Sequence, residues 1–345
     1  MKERLSYPFT AIVGQDEMKD ALLLNTVNPS IGGVLIRGEK GTAKSTAVRA
    51  LADLLPDRRV VKGCPCGCAW NAYDTACPDC KVRFDEGTAT EDIVPMAVVE
   101  LPLNSTEDRV AGTLDIERAI TAGEKRFEPG ILAKANGNIL YVDEINLLDD
   151  HIVDLLLDAA AMGMNYIERE GVSYRHPSRF ILIGTMNPEE GDLRPQLLDR
   201  FGLMVDIKGE QDPKKRSEII SRRLRFERNP ESFVSEYADS NAELRETILS
   251  ARDVVRDIVP DDRTLEMAVR LSLHLGVDGH RADLTLVKTA CAHAAMDGRD
   301  TVTPEDVVAV SKLVLPHRMR KNPFQDSTLD IGGLENWMRD TLASL

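Results

Sequence analysis

No apolar run in this chain approaches the roughly 18 residues needed to cross a bilayer. Met1-Lys2-Glu3-Arg4 also leads into no hydrophobic segment of the kind that opens a secretory signal. These absences point to a cytoplasmic protein in a reducing compartment, with no membrane partner expected. Basic charge is in short supply: 43 Lys and Arg face 57 Asp and Glu, a net charge of −14. Nucleic-acid binders carry a basic surface, so no nucleic-acid partner is expected either. Cysteine is sparse and uneven, since five of the six lie between 64 and 80. In a reducing compartment such clustering reads as metal ligands or redox thiols rather than structural disulfides. The sixth, Cys291, sits in an apolar helical pattern and reads as a core residue. Strand signals are missing after about residue 210.

At 345 residues the chain has room for one or two domains with a real core. Its organising stretch is Val34-Leu35-Ile36-Arg37-Gly38-Glu39-Lys40-Gly41-Thr42-Ala43-Lys44-Ser45-Thr46. A short apolar strand ends at Gly38, a loop follows, and Lys44-Ser45 open a helix. That order suits a phosphate-binding loop, whose backbone N–H groups must approach phosphate oxygens closely. The helix N-terminus adds its partial positive charge. Lys44 is the point charge for the phosphates and Ser45 the hydroxyl for Mg²⁺. The residues from Gly38 to Thr46 (Gly38, Glu39, Lys40, Gly41, Thr42, Ala43, Lys44, Ser45, Thr46) are therefore the nucleotide candidates. Ala43 stands where the usual pattern has glycine, and a methyl group is the smallest intrusion there. Upstream, Val13 and Gly14 precede a helix with acids in its first turn, and their backbone is placed to hold an adenine.

Asn138-Ile139-Leu140-Tyr141-Val142-Asp143-Glu144 reads as a buried parallel strand with two acids at its carboxyl end. That end is where open α/β sheets bind ligands. Asp143 suits Mg²⁺ and its hydration shell, and Glu144 suits activation of the attacking water. Phe180 to Met186 is a second buried strand, ending at Asn187, which can hydrogen-bond the γ-phosphate or the water. Arg194 and Arg200 lie in a short helical stretch, and an arginine there could stabilise charge building on the γ-phosphate of a neighbouring subunit. Beyond 210 the pattern is helical. Asp261 starts a compact lid, His280-Arg281 begins one of its helices, and Thr303-Pro304-Glu305-Asp306 carries an N-cap, a proline and an acid in helix-opening positions. Arg281 is placed to reach a bound nucleotide.

The cysteines follow C-x-C-x-C-x₈-C-x₂-C: Cys64, Cys66, Cys68, Cys77 and Cys80. Cys77 and Cys80 form a half-site common in tetrahedral sulfur centres, and any two of the first three could complete a set of four. Zinc, an iron–sulfur cluster and a metal-free thiol switch all remain open.

With these residues in place, the chain resembles an AAA+ ATPase, and more narrowly the motor (I) subunit of magnesium chelatase and its cobalt-chelatase relatives. The resemblance rests on Ile12-Val13-Gly14-Gln15, Gly38 to Thr46, LPLNSTEDRVAGTL (101–114), Phe127-Glu128-Pro129-Gly130, Val142 to Leu148, Gly184 to Pro188, LRPQLLDRFGL (193–203) and LPHRMR (315–320). It implies an α/β fold: a P-loop three-layer sandwich with a central parallel sheet, followed by an all-α lid. The implied layout is a nucleotide-binding domain over 1–209, with a Cys-rich insertion at 63–81 and further insertions before and after the acidic strand. A helical linker over 210–260 and a lid over 261–345 follow. The resemblance also implies a hexameric ring with ATP and Mg²⁺ at subunit interfaces, Asn187 as the first sensor, Arg200 with Arg194 as the finger in trans, and Arg281 as the second sensor. It implies two partners: a second AAA+ subunit bearing an integrin-like domain, and a large porphyrin-binding subunit that inserts Mg²⁺ or Co²⁺ into a tetrapyrrole. No integrin-like segment follows in this sequence, which fits the I rather than the D subunit. A MoxR-like chaperone for metalloprotein maturation, or a nucleic-acid motor with a zinc ribbon, would share the phosphate loop. The 101–114 and 315–320 segments favour the chelatase, and the acidic balance disfavours the nucleic-acid motor.

Overall fold

The computed structural model describes residues 5–39, 41–115, 126–169, 172–277, 279–319 and 331–344. Of the residues singled out above, Lys40, Met1-Lys2-Glu3-Arg4 and Arg320 lie outside these ranges.

In chain order the strands are β1 (Val34–Gly38), β2 (Arg58–Val61), β3 (Glu91–Val94), β4 (Val98–Glu100), β5 (Gly112–Asp115), β6 (Arg126–Pro129), β7 (Ile139–Val142), β8 (Met164–Arg169), β9 (Val172–Pro177), β10 (Ile181–Met186) and β11 (Leu203–Ile207). The helices are α1 (Asp16–Val27), α2 (Lys44–Leu54), α3 (Pro78–Asp85), α4 (Glu107–Ala111), α5 (Ile131–Ala135), α6 (Asp150–Met162), α7 (Pro195–Leu198), α8 (Pro213–Arg228), α9 (Pro230–Glu236), α10 (Ala238–Val254), α11 (Asp262–His274), α12 (His280–Met296), α13 (Pro304–Val314) and α14 (Ile331–Ser344).

The central sheet runs β11-β1-β10-β7-β4. β7 and β10 pair in parallel with Gly184 opposite Val142, and every residue of both strands is buried. That burial explains their unbroken apolar sequences, since a strand covered on both faces has no polar side to alternate with. β1 lies beside β10, so the loop after β1 and the carboxyl ends of β7 and β10 fall along one edge of the sheet, the edge at which α/β proteins bind ligands. Gly38 is required where β1 ends. A Cβ there would stand 2.4 Å from the Ile207 carbonyl oxygen on β11.

The edge strand β4 was not legible in the sequence, where 84–135 reads as loops and surface helices. Val98 and Val99 are only half-buried and pair with β7 on one side alone. A three-residue edge strand between Pro95 and Pro102 leaves almost no pattern to read. The same region holds an antiparallel pair, β5 with β6, and β8 and β9 form a second hairpin before β10. Gly130, after β6, has no room for a side chain, because a Cβ would lie 2.4 Å from both the Gly112 nitrogen and the Val110 carbonyl.

The chain divides into two compact units. One holds the residues up to Gln15, Leu35–Leu193 and Asp206–Arg245; the other holds Asp16–Val34, Arg194–Val205 and Glu246–Leu345. Within the second, α11 begins with Asp261 accepting a hydrogen bond from the Thr264 N–H at 2.8 Å. The Thr303–Asp306 capping box opens α13, and Cys291 packs in the core on α12. Among the described residues no helix is long and apolar enough to cross a membrane.

Candidate active site

The turn from β1 to α2 is built from conformations that few residues adopt. Gly41 has φ +86° and Ala43 φ +63°. The left-handed region costs a residue with a Cβ about 1–2 kcal/mol, so Ala43 carries strain that the usual glycine would not. The Thr42 hydroxyl donates to the Glu39 carbonyl at 2.9 Å and closes the loop. The Lys44 ammonium donates to the Gly38 carbonyl at 2.5 Å, which draws it back over the loop. The first N–H groups of α2 have no partners within the helix and carry its positive end.

This loop opens onto a cavity of about 760 Å³ lined by Gly41, Thr42, Ala43, Lys44, Ser45 and Thr46, together with Asp143, Glu144 and Asn187. Three separate stretches of sequence thus meet at one site, all within the first unit. Val13 also lines it, whereas Gly14, Gly38 and Glu39 are not among the lining residues. Gly14 adopts φ +66° and has the Glu210 carboxylate beside it, 3.1 Å from where a Cβ would be.

The acidic pair is held by residues that went unnoticed in the sequence. Asp143 Oδ1 accepts from the Tyr141 hydroxyl at 2.9 Å and from the Thr185 hydroxyl at 2.5 Å. Both bonds end on Oδ1, so Oδ2 takes no part in this anchor. Burial, reinforced by the Asp143 charge, pushes the Tyr141 phenol above its usual range and keeps it a proton donor. Thr185 also accepts from the Glu144 N–H at 3.1 Å, fixing the backbone of a residue held at φ +53°. Strain of this kind costs about 1–3 kcal/mol and persists where the surroundings enforce it. A signal existed for both: Tyr141 lies two residues before Asp143, on the same strand face, and Thr185 follows the Gly184–Val142 register pair. Asn187, only 4% exposed, uses its side-chain oxygen to cap the turn that follows, accepting from the Glu189 N–H at 3.3 Å. The Asn-Pro turn and the position at the cavity are therefore compatible.

Further lining residues were also missed. Tyr7, Ile219 and Ile220 supply apolar surface, and Arg216 and Arg223 supply charge. In the sequence 214–228 reads only as a charge-rich helix. Its isoleucines line the cavity and are 38% and 55% exposed.

Arg194, Arg200 and Arg281 all belong to the second unit. Arg194 is the residue before α7, and Arg281 pairs with Asp199 at 2.7 Å. The turn that carries Arg200 is held by Arg318, whose guanidinium donates to the carbonyls of Phe201 at 2.6 Å, Gly202 at 3.0 Å and Asp199 at 3.3 Å. Arg318 is 9% exposed, and burial lowers its pKa to about 10, so it remains charged at neutral pH. The 315–320 segment, quoted above only as a resemblance, thus has a physical task. Arg318→Ala would orphan several buried carbonyls at about 1 kcal/mol or more each. It is expected to lower the unfolding free energy by about 3 kcal/mol in denaturant titrations; an unchanged midpoint would refute that task.

Cys64, Cys68, Cys77 and Cys80 bring four sulfurs within 4.8 Å of one another. Cys66 is fully buried beside them and outside that set.

Two family models match the chain: an AAA domain of the dynein-related subfamily over residues 90–201, and an AAA lid domain over 265–331. The magnesium-chelatase subunit ChlI homolog of Methanocaldococcus jannaschii is 57% identical over 334 residues, covering 97% of this chain and 91% of that protein. The magnesium-chelatase 38 kDa subunit of Acidiphilium rubrum is 50% identical over 321 residues, covering 93% of each. A solved structure of the complex between subunits BchI and BchD of magnesium chelatase aligns with a TM-score of 0.56 at 48% identity, covering 93% of this chain and 98% of that one. The resemblance, the parallel sheet and the helical C-terminal region are all borne out: this chain belongs to the magnesium-chelatase ChlI/BchI subunit family of AAA ATPases.

Proposed function

We propose that this chain is the ATP-hydrolysing motor of a metal chelatase, driving insertion of Mg²⁺ or Co²⁺ into a tetrapyrrole held by a separate catalytic subunit. The supporting observation is the convergence of Lys44, Ser45, Asp143, Glu144 and Asn187 on one cavity, in a chain 57% identical to a chelatase ChlI homolog. Val13 and Gly14 take the base, and Tyr7, Ile219 and Ile220 supply apolar lining in the same cavity. The backbone from Gly38 to Thr46 wraps the phosphates, and Lys44 neutralises the β- and γ-oxygens. Ser45 and Asp143, a hydroxyl and a carboxylate, are the hard oxygen donors that Mg²⁺ requires. Mg²⁺ held by these residues would supply Lewis-acid stabilisation of the charge that builds on the phosphates during transfer. Glu144 polarises a water and accepts its proton as oxygen bonds to the γ-phosphorus and the bond to ADP breaks, yielding ADP and phosphate. Asn187 orients that water or the γ-phosphate.

The chain acts as a homo-oligomer, a hexameric ring in which Arg200, with Arg194 in the same loop, completes the neighbour's site. Arg281 serves as the second sensor, exchanging Asp199 for phosphate. A second AAA+ subunit joins the ring; the BchI–BchD complex among the similar structures supports this. The large porphyrin-binding subunit is the third component, and the setting is cytoplasmic. Reconstitution provides the test. ATPase activity should rise with a porphyrin-binding subunit, and metallated tetrapyrrole should form only with ATP and the second AAA+ subunit, followed by fluorescence. Stimulation by single-stranded DNA instead, or none by any chelatase subunit, would overturn this reading.

A further inference from the structure

We propose that Cys64, Cys68, Cys77 and Cys80 form a tetrahedral Zn²⁺ site that braces the two hairpins beside the nucleotide-binding sheet, with Cys66 packed next to it as a non-ligand. Their four sulfurs lie within 4.8 Å of one another, and Cys64 and Cys77 are 3.8 Å apart. A tetrahedron with Zn–S bonds of about 2.3 Å has edges of about 3.8 Å, so the sulfurs already stand around the volume of one ion. An iron–sulfur cluster puts several irons and sulfides between its cysteines and spreads them further apart. A single ion therefore fits the spacing better.

The chain around the sulfurs is shaped as two metal knuckles. The first is a tight turn from Cys64 to Cys68, closed by the Gly67 N–H donating to the Cys64 carbonyl at 3.1 Å, with Gly67 at φ +54°. The second begins at Cys77, just before α3, and places Cys80 in the first turn of that helix. The knuckles are cross-linked, since the Cys77 N–H donates to Cys68 Sγ at 3.3 Å. An N–H aimed at sulfur stabilises a thiolate and orients it, as outer-shell contacts at metal sites do. Cys66 lies beside these sulfurs but outside the set of four that come within 4.8 Å of one another. Its carbonyl accepts from Asn136 Nδ2 at 2.9 Å, and its side chain packs in an apolar cluster with Val61 and Ala133. The other acidic and histidine grouping among the described residues, His293 with Asp297 and Asp306, already holds the Arg299 guanidinium, which donates to both carboxylates.

The site's position gives it work to do. Its apolar cluster includes Ala133 on α5 and packs against Phe127 on β6. Phe127 stacks on Tyr174 of β9, centroids 4.4 Å apart and planes at 20°. The ion thus fixes the base on which the β5–β6 and β8–β9 hairpins meet.

Elemental analysis of the purified chain should give one zinc per polypeptide with neither iron nor acid-labile sulfide. Replacing zinc with Co²⁺ should produce the visible d–d and charge-transfer bands of a tetrahedral tetrathiolate. Cys64→Ser, Cys68→Ser, Cys77→Ser and Cys80→Ser should each weaken metal retention against a chelator at least tenfold, while Cys66→Ser keeps both the stoichiometry and the cobalt spectrum. Should the ligand variants fail to fold, the parent's zinc count and cobalt spectrum, with Cys66→Ser, still decide the matter. Iron with sulfide, a metal-free protein whose five clustered thiols all titrate, or metal loss in Cys66→Ser would overturn the proposal.

Discussion

Lys44→Ala is expected to lower affinity for Mg·ATP at least 100-fold in isothermal titration, with the melting temperature of the nucleotide-free protein little changed. The cavity gathers two carboxylates, Asp143 and Glu144, within reach of a ligand that is itself strongly anionic. Without a cation on the loop, the backbone N–H groups and the end of α2 must offset that charge alone. A charge-assisted hydrogen bond to phosphate contributes about 1.5–3 kcal/mol, and 2.7 kcal/mol is a factor of about 100 in affinity. The native contact that is lost, Lys44 to the Gly38 carbonyl, lies partly exposed at the mouth of the loop, so the cost should appear in binding and not in folding. Unchanged ATP affinity would remove this loop from the account.

Glu144→Gln should leave ATP affinity within a few-fold of the parent and cut turnover by about 10³, because general-base assistance supplies roughly 10²–10⁴ in rate. Glutamine keeps the size and the φ +53° backbone that Thr185 holds in place. It removes only the capacity to take a proton. If the chain forms the ring proposed above, nucleotide-bound assemblies should therefore accumulate, visible as a stable high-mass species by light scattering. Parental turnover in this variant would move water activation to another residue.

Much of the cavity lining was legible because it is carried by unusual sequences: glycine before a helix with Lys44-Ser45, two acids after a buried run, and Asn187 after another. Its supports were not. Tyr141 and Thr185 look like ordinary strand residues until β7 and β10 are laid side by side in register. Ile219 and Ile220 read as two apolar residues on a charged helix until the cavity they line is seen. Arg318 is one cation among many in sequence, and only burial against three carbonyls marks it out. Which four of the five cysteines bring their sulfurs within 4.8 Å of one another likewise depends on how the turns fold, which spacing does not encode.

Arg194 and Arg200 sit in a segment, Arg194–Val205, that folds with the C-terminal helices rather than with the loop and acids of its own chain's pocket. Arg318 and Arg281 fasten that segment to the same body through Asp199 to Gly202. Whatever tilts the helices therefore swings these guanidinium groups along with them. Loosening the Arg318 contacts should therefore disturb Arg194 and Arg200 as a pair, whichever partner they meet.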